Sequence, residues 1–169
     1  MSSDLPLEIS SLRVALMVAV LGVSVVTDLR SRRIYNALTI PAMVLGVAVN
    51  VLDMGMSGTL VALSGLMVGA LLFALPVAFL ERGAGDLKLL ASLGAIGGPE
   101  FVLWCGLWAG VAGGVLAIGV LLVRRNIGPV LAGMTMDAAT GHFPIARCNI
   151  RLPYAVPIAF GAVLTLVLK

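Results

Sequence analysis

The feature that most constrains this chain is a run of 21 residues, Leu60–Leu80, that contains no charged side chain. At 1.5 Å per residue, a helix of this length crosses a hydrocarbon layer of ~30 Å. Five further apolar segments accompany it, and only 11% of the chain is charged, against roughly 25% in an ordinary soluble domain. The sequence therefore predicts an all-α integral membrane protein.

The six apolar segments predict a bundle of about six transmembrane helices in a single polytopic domain, residues 1–169. The segments are Leu12–Val26, Ala37–Leu52, Leu60–Leu80, Leu87–Ile96, Phe101–Val123 and Tyr154–Leu168. The fourth is too short to span a membrane by itself, and it ends at Gly97-Gly98-Pro99, a strong turn signal. Asn36 is expected to cap the second helix. Asp53–Gly58 is expected to be a short polar turn in which Asp53 has no partner.

Basic residues orient this bundle. If the turn after the first segment is cytoplasmic, alternation of the segments places nine of the eleven Lys and Arg residues on that side. The nine are Arg30, Arg32, Arg33, Arg82, Lys88, Arg124, Arg125, Arg147 and Arg151, which leaves Arg13 and Lys169 outside. By the positive-inside rule, both termini are then external. The net charge of +3 reflects this topology, so no nucleic-acid partner is expected.

Two aspartates fall on the same predicted face. Asp28 follows the first segment, and Asp86 follows Gly83 and Gly85 within the charged stretch Glu81–Leu90. A carboxylate at a membrane edge is costly and indicates a functional site. If the two lie together, they share a proton, and such a dyad can hydrolyse a peptide bond.

Each aspartate also has a structural interpretation that the residues alone leave open. Asp86 precedes an apolar helix and could serve only as its N-cap. Asp28 could form a surface ion pair with Arg30, Arg32 or Arg33.

Other catalytic schemes lack the necessary residues. His142 is the single histidine, and Cys105 and Cys148 have no metal-ligand spacing. No GxSxG elbow and no Gly-rich phosphate loop are present. We therefore expect no metal site and no cofactor.

The motifs around the aspartates resemble those of a known family. Gly83-Ala84-Gly85-Asp86, followed by Leu87-Lys88-Leu89, resembles the GxGD motif of the type IV prepilin peptidases, which are membrane aspartic peptidases. Asp28–Asn36 resembles the first aspartate motif of that family, with Tyr35 where proline is usual, and Leu152–Gly161 resembles its last helix. The chain looks most like the short Tad/Flp-pilus form, without the methyltransferase region.

This resemblance implies an aspartic endopeptidase in which Asp28 and Asp86 form the catalytic dyad. Its substrates would be prepilins and pseudopilins, whose short polar leaders would be cleaved at the cytoplasmic face of the bacterial inner membrane. Besides membrane lipids, the pilus assembly machinery is an expected partner. The backbone at Gly83 and Gly85 could pair with an extended leader. Lys88 is expected at the substrate site near the dyad, although it could serve only to fix topology.

Three alternatives stay open at this point. Intramembrane carboxylates also relay protons, so a small proton-coupled transporter or channel component would use the same aspartates. A non-catalytic scaffold of a secretion machinery is a second alternative. An archaeal-type preflagellin peptidase is the near alternative within the same enzyme class.

Overall fold

The computed structural model describes residues 11–31, 34–80, 84–123 and 154–168, with the backbone alone for residues 75–80 and 121–123. The regular secondary structure of these residues is entirely α-helical and forms five helices. They are α1 (Ser11–Ser31), α2 (Asn36–Met54), α3 (Met56–Leu80), α4 (Ala84–Val123) and α5 (Ala155–Leu168). The first four are long and apolar enough to cross a membrane, and α5 is a shorter apolar helix. The chain is therefore a membrane-integral helical protein, as the sequence predicts.

Helix α4 consists of two helical arms that meet at Gly98. This residue has φ 83° and ψ 177°, a left-handed backbone conformation that glycine adopts without steric cost. Pro99 follows it, at the start of the second arm, where a missing N–H does least harm. The turn predicted at Gly97-Gly98-Pro99 is thus confirmed. Residues 84–97 are called the first arm below, and residues 99–123 the second arm.

The first arm packs against α3 in an antiparallel orientation. Gly65 of α3 faces Gly94, and Gly69, one turn later in α3, faces Leu90, one turn earlier in α4. A Cβ added at Gly65 would overlap the carbonyl oxygen of Gly94, and the reverse also holds. Small residues here let the two backbones approach closely, as is common between membrane helices.

The second arm returns alongside the first. A Cβ on Gly106 would lie 2.9 Å from Leu72 of α3 and 3.6 Å from Leu90 of the first arm. Leu90 and Gly106 are each eight residues from Gly98, so the two arms form a helical hairpin about that residue.

The first arm is the centre of the bundle. Leu89, Leu90, Leu93 and Ile96 are completely buried. The surrounding helices instead carry many large apolar side chains on their outer surfaces, such as Val18, Leu63 and Leu107. A bundle with apolar residues on its outside as well as its inside is suited to a lipid environment.

Asn50 of α2 ties this helix to the end of the first arm. Its side-chain amide donates to the carbonyl oxygens of Ala95 and Ile96, each at 3.0 Å, and to Gly46 at 2.9 Å. The break at Gly98 leaves the last carbonyls of the first arm without helical partners, so a buried amide donor satisfies them.

Three local predictions are wrong in detail. Helix α1 extends past Val26 to Ser31, so Asp28 is helical and does not lie in a turn. Asn36 is the first residue of α2, and the N-cap is Tyr35, whose backbone is extended and whose side chain makes no capping bond. The connection between α2 and α3 shortens to Gly55, which has φ 62° and donates its N–H to Val51 O at 2.8 Å.

Asp53 also differs from its prediction, because it has a partner. Its Oδ2 lies 3.0 Å from Nε of Arg13, whose side chain is buried between α1 and α2. A cation placed among apolar helices needs such a partner, because an unpaired buried charge is very unfavourable. The pair marks the end of the bundle where α1 begins and α2 ends.

Candidate active site

Asp28 lies in the last turns of α1 with 7% of its surface exposed. Its Oδ2 accepts a hydrogen bond of 3.1 Å from the backbone N–H of Ala155. Ala155 is the first residue of α5, and the first N–H groups of a helix have no partner within that helix. Asp28 therefore caps α5, where the helix dipole favours a negative charge. A surface pair with Arg30 does not describe this buried residue, and Arg32 and Arg33 lie outside the described residues.

Asp86 is the third residue of α4 and is partly buried. Because the helix begins at Ala84, Asp86 lies inside the first turn and is not its N-cap. The dipole at this end of the first arm favours a carboxylate there.

The fold brings Asp28 and Asp86 together. Met17 of α1 contacts the position of Gly97 at the other end of the first arm. From Met17 to Asp28 is 28 − 17 = 11 residues, and from Gly97 back to Asp86 is 97 − 86 = 11. Each aspartate thus lies about 16 Å along its own helix from the contact between Met17 and Gly97. Because the two helices are antiparallel, the two aspartates lie at the same level. They are close enough for the charge of Asp28 to act on the carboxyl group of Asp86.

Tyr154 is a third polar side chain at this level, and it belongs to neither of the two aspartate motifs. It immediately precedes α5, and its carbonyl accepts the first hydrogen bond of that helix, from Ile158 N at 3.2 Å. Its ring meets Phe73 of α3 edge to face, with centroids 6.4 Å apart and an interplanar angle of 83°. Burial raises the pKa of the Tyr154 phenol above its usual value, and the charge of Asp86 acts in the same direction.

The position of Tyr154 in the sequence is compatible with a site residue but does not identify it as one. A tyrosine between Pro153 and Pro157, at the edge of an apolar segment, is also typical of residues at a membrane interface. The contact with Phe73 that places its ring near Asp86 depends on three helices that are distant in sequence.

Gly85 and Lys88, predicted at the substrate site, lie on the side of the first arm that faces α2. A Cβ on Gly85 would lie 3.1 Å from Cβ of Ile34, just ahead of α2. Nζ of Lys88 donates to Oδ1 of Asn36 at 2.9 Å. These two residues are next to Asp86 in sequence, yet their contacts join α4 to α2, whereas Asp86 faces α1 and α5. Gly83 lies outside the described residues.

No group of three or more His, Cys, Asp or Glu side chains that could hold a metal ion occurs within the described parts of the chain. Cys105 is buried, with Sγ 3.8 Å from the carbonyl oxygen of Ile158. His142 and Cys148 lie outside the described residues. The described site brings together two neighbouring carboxyl groups, a phenol and the N-terminus of a helix.

Comparison with known proteins identifies a family. A family model described as the type IV leader peptidase family matches residues 15–118, which is more than half of the chain and includes both aspartates. Tyr154 and α5 lie beyond the matched residues. No curated protein and no solved structure matches the chain.

Proposed function

Because the chain belongs to the type IV leader peptidase family, we propose that it is an aspartic endopeptidase whose dyad is Asp28 and Asp86. Its substrates are prepilins and pseudopilins, from which it removes a short polar leader. The observation that carries this proposal is the proximity of two carboxyl groups 58 residues apart in sequence, one buried and one partly buried.

In the proposed reaction the dyad holds one proton. In this scheme Asp28, which accepts the hydrogen bond from Ala155, acts as the base and Asp86 acts as the acid. Asp28 takes a proton from water as the water oxygen attacks the scissile carbonyl carbon, and Asp86 gives its proton to the carbonyl oxygen. In the second step Asp28 passes its proton to the leaving nitrogen. Asp86 recovers a proton from the diol, and the C–N bond breaks.

The position of the site suits a substrate that is anchored in the membrane. Gly69 of α3 faces Leu90 of the antiparallel first arm. Phe73 comes four residues after Gly69, and Asp86 four residues before Leu90, so Phe73 and Asp86 lie at the same level. Helix α3 continues seven residues past Phe73, which is about 10 Å. The dyad is thus about two helical turns inside the level at which α3 ends. The cleavage site of a prepilin, at the junction of its apolar helix and its polar leader, would be presented at this depth.

We further propose that this end faces the cytoplasm of a bacterium, across the inner membrane. Arg30 and Lys88 lie at the dyad end, and the Arg13–Asp53 pair marks the opposite end. This distribution supports the positive-inside orientation. The six helical segments then all cross or enter the membrane, with both termini external. Reporters fused after Arg33 should be cytoplasmic and one fused after Lys169 external, whereas a cytoplasmic C-terminus would contradict the topology.

The leader is proposed to run past Gly83 and Gly85, with Lys88 nearby. Glycine allows a substrate backbone to approach closely. The contact between Gly85 and Ile34 gives a second explanation for a glycine at this position, which is helix packing. The two explanations predict different cleavage rates for variants of Gly85 and Ile34.

The direct experiment is incubation of the purified protein in detergent with a prepilin substrate. Conversion to the mature N-terminus, read by mass spectrometry, supports the proposal. A parallel reaction with an archaeal preflagellin tests the neighbouring substrate class. Absence of cleavage of both substrates by folded protein would contradict it.

A further inference from the structure

The start of α5 reaches both carboxyl groups of the site through two consecutive residues. The N–H of Ala155 is bonded to Asp28, and the side chain of Tyr154 lies on the side of Asp86. Neither residue belongs to the two aspartate motifs, and both lie outside the residues that match the family model.

Three contacts fix where the Tyr154 ring lies. Phe73 packs against it edge to face. Gly113 of the second arm also lies against the ring, since a Cβ there would be 3.2 Å from Cε1 of the tyrosine. Its backbone is held by the first turn of α5. The ring therefore occupies a defined position between α3 and the second arm.

The register of the helices places Asp86 beside this ring. Leu90 faces Gly106 across the hairpin, so Asp86 is level with Gly110, three residues before Gly113. Phe73 of α3 is at the same level as Asp86. The phenol is thus packed between the two helices that flank the acid of the proposed dyad.

We propose that Tyr154 is a positioning residue for Asp86, and that its hydroxyl donates a hydrogen bond to Asp86 when that carboxyl group loses its proton. This inference rests on the proposed peptidase function. In the proposed reaction Asp86 becomes ionised when it protonates the scissile carbonyl oxygen. A donor that acts at this stage stabilises the intermediate and the transition states beside it, without strengthening substrate binding. Tyr154 can serve as this donor because its phenol stays protonated.

The test compares Tyr154→Phe with the wild-type enzyme in the prepilin cleavage assay. Phenylalanine keeps the ring and its contact with Phe73 but removes the hydroxyl. A hydrogen bond to a charged group predicts that kcat falls roughly tenfold to a hundredfold. KM and the unfolding temperature should not change, because neither binding nor packing is altered.

A double-mutant cycle with Phe73→Leu separates positioning from packing. In the wild-type background, Phe73→Leu frees the ring and should lower kcat. In the Tyr154→Phe background no hydroxyl remains to be positioned, so the same change should have little further effect on kcat. Strictly additive effects of the two changes would overturn the inference, as would full kcat in Tyr154→Phe.

The outcome is distinguishable from failure of the proposed function. Asp86→Asn serves as the reference in the same assay and should be inactive. If the wild type cleaves, Asp86→Asn does not, and Tyr154→Phe is fully active, only the role of Tyr154 is refuted. If the wild type does not cleave, the proposed function and the role of Tyr154 fall together.

Discussion

Asp28 has two separable roles in this account, a structural one at the start of α5 and a chemical one in the dyad. Asp28→Asn and Asp28→Ala distinguish them. Asparagine keeps a carbonyl oxygen that can accept the hydrogen bond from Ala155, whereas alanine leaves that N–H without a partner. Ala155 is completely buried, so its N–H is shielded from bulk solvent.

The expected difference between the two variants follows from this contact. An unsatisfied buried donor costs about 1–3 kcal/mol. For a chain of this size, that corresponds to an unfolding temperature lower by roughly 2–12 °C in Asp28→Ala than in Asp28→Asn. Intrinsic helix propensity acts in the opposite direction, because alanine is the better helix former. The sign of the difference therefore reports on the hydrogen bond.

The assay is thermal unfolding of both variants in the same detergent, followed by circular dichroism. Arg30→Asn and Arg30→Ala provide the matched control, since Arg30 is exposed in the same helix. There the alanine variant should be at least as stable as the asparagine variant. If Asp28→Ala were as stable as Asp28→Asn, the cap on α5 would contribute nothing and the argument for a fixed Asp28 would fail.

Three further predictions concern the substrate side and the chemistry. Gly85→Ala should lower the rate of cleavage, whereas Gly114→Ala should not, because nothing lies within 4 Å of the methyl group added there. If Ile34→Ala restores cleavage in the Gly85→Ala variant, Gly85 is needed for helix packing and not for the approach of the leader. Lys88→Gln keeps a donor for Asn36 but removes the charge, so a rise in KM with unchanged kcat would support a role in leader binding, and an unchanged KM would refute it. A carboxylate dyad activates water without a Lewis acid, so chelators should leave cleavage intact; loss of activity that added zinc restores would indicate a metallopeptidase.

The sequence was sufficient for the helical segments and for the turn at Gly98, because both depend on local properties. Long apolar runs become helices in lipid, where every backbone polar group must be satisfied internally. Gly97-Gly98-Pro99 combines a residue that tolerates positive φ with one that cannot continue a helix. Neither inference needs knowledge of the neighbouring helices.

Two of the predictions that were wrong depend on contacts between segments. Asp53 reads as a solvated turn residue until α1 places Arg13 beside it. Asparagine is a common N-cap residue, but the side chain of Asn36 accepts a hydrogen bond from Lys88 of α4 instead. Tyr154 becomes part of the site only when the hairpin of α4 brings α3 and α5 together. Such pairings are set by packing between distant segments, which the pattern of a single segment does not contain.

The measurement that most directly tests the dyad is leader cleavage by Asp28→Asn and Asp86→Asn, each corrected for the amount of folded protein. Asparagine is nearly the same shape as aspartate, but it can neither accept the proton of water nor share one with its partner. Each single variant should lose detectable cleavage, and the double variant should be no worse, because the two groups act as a unit.

Asp53→Asn is the control, since it alters a carboxylate at the opposite end of the bundle. It should cleave the leader at close to the wild-type rate per folded molecule, even if loss of the Arg13 pair makes it less stable. Retention of most activity by either Asp28→Asn or Asp86→Asn, with the protein folded, would contradict the dyad.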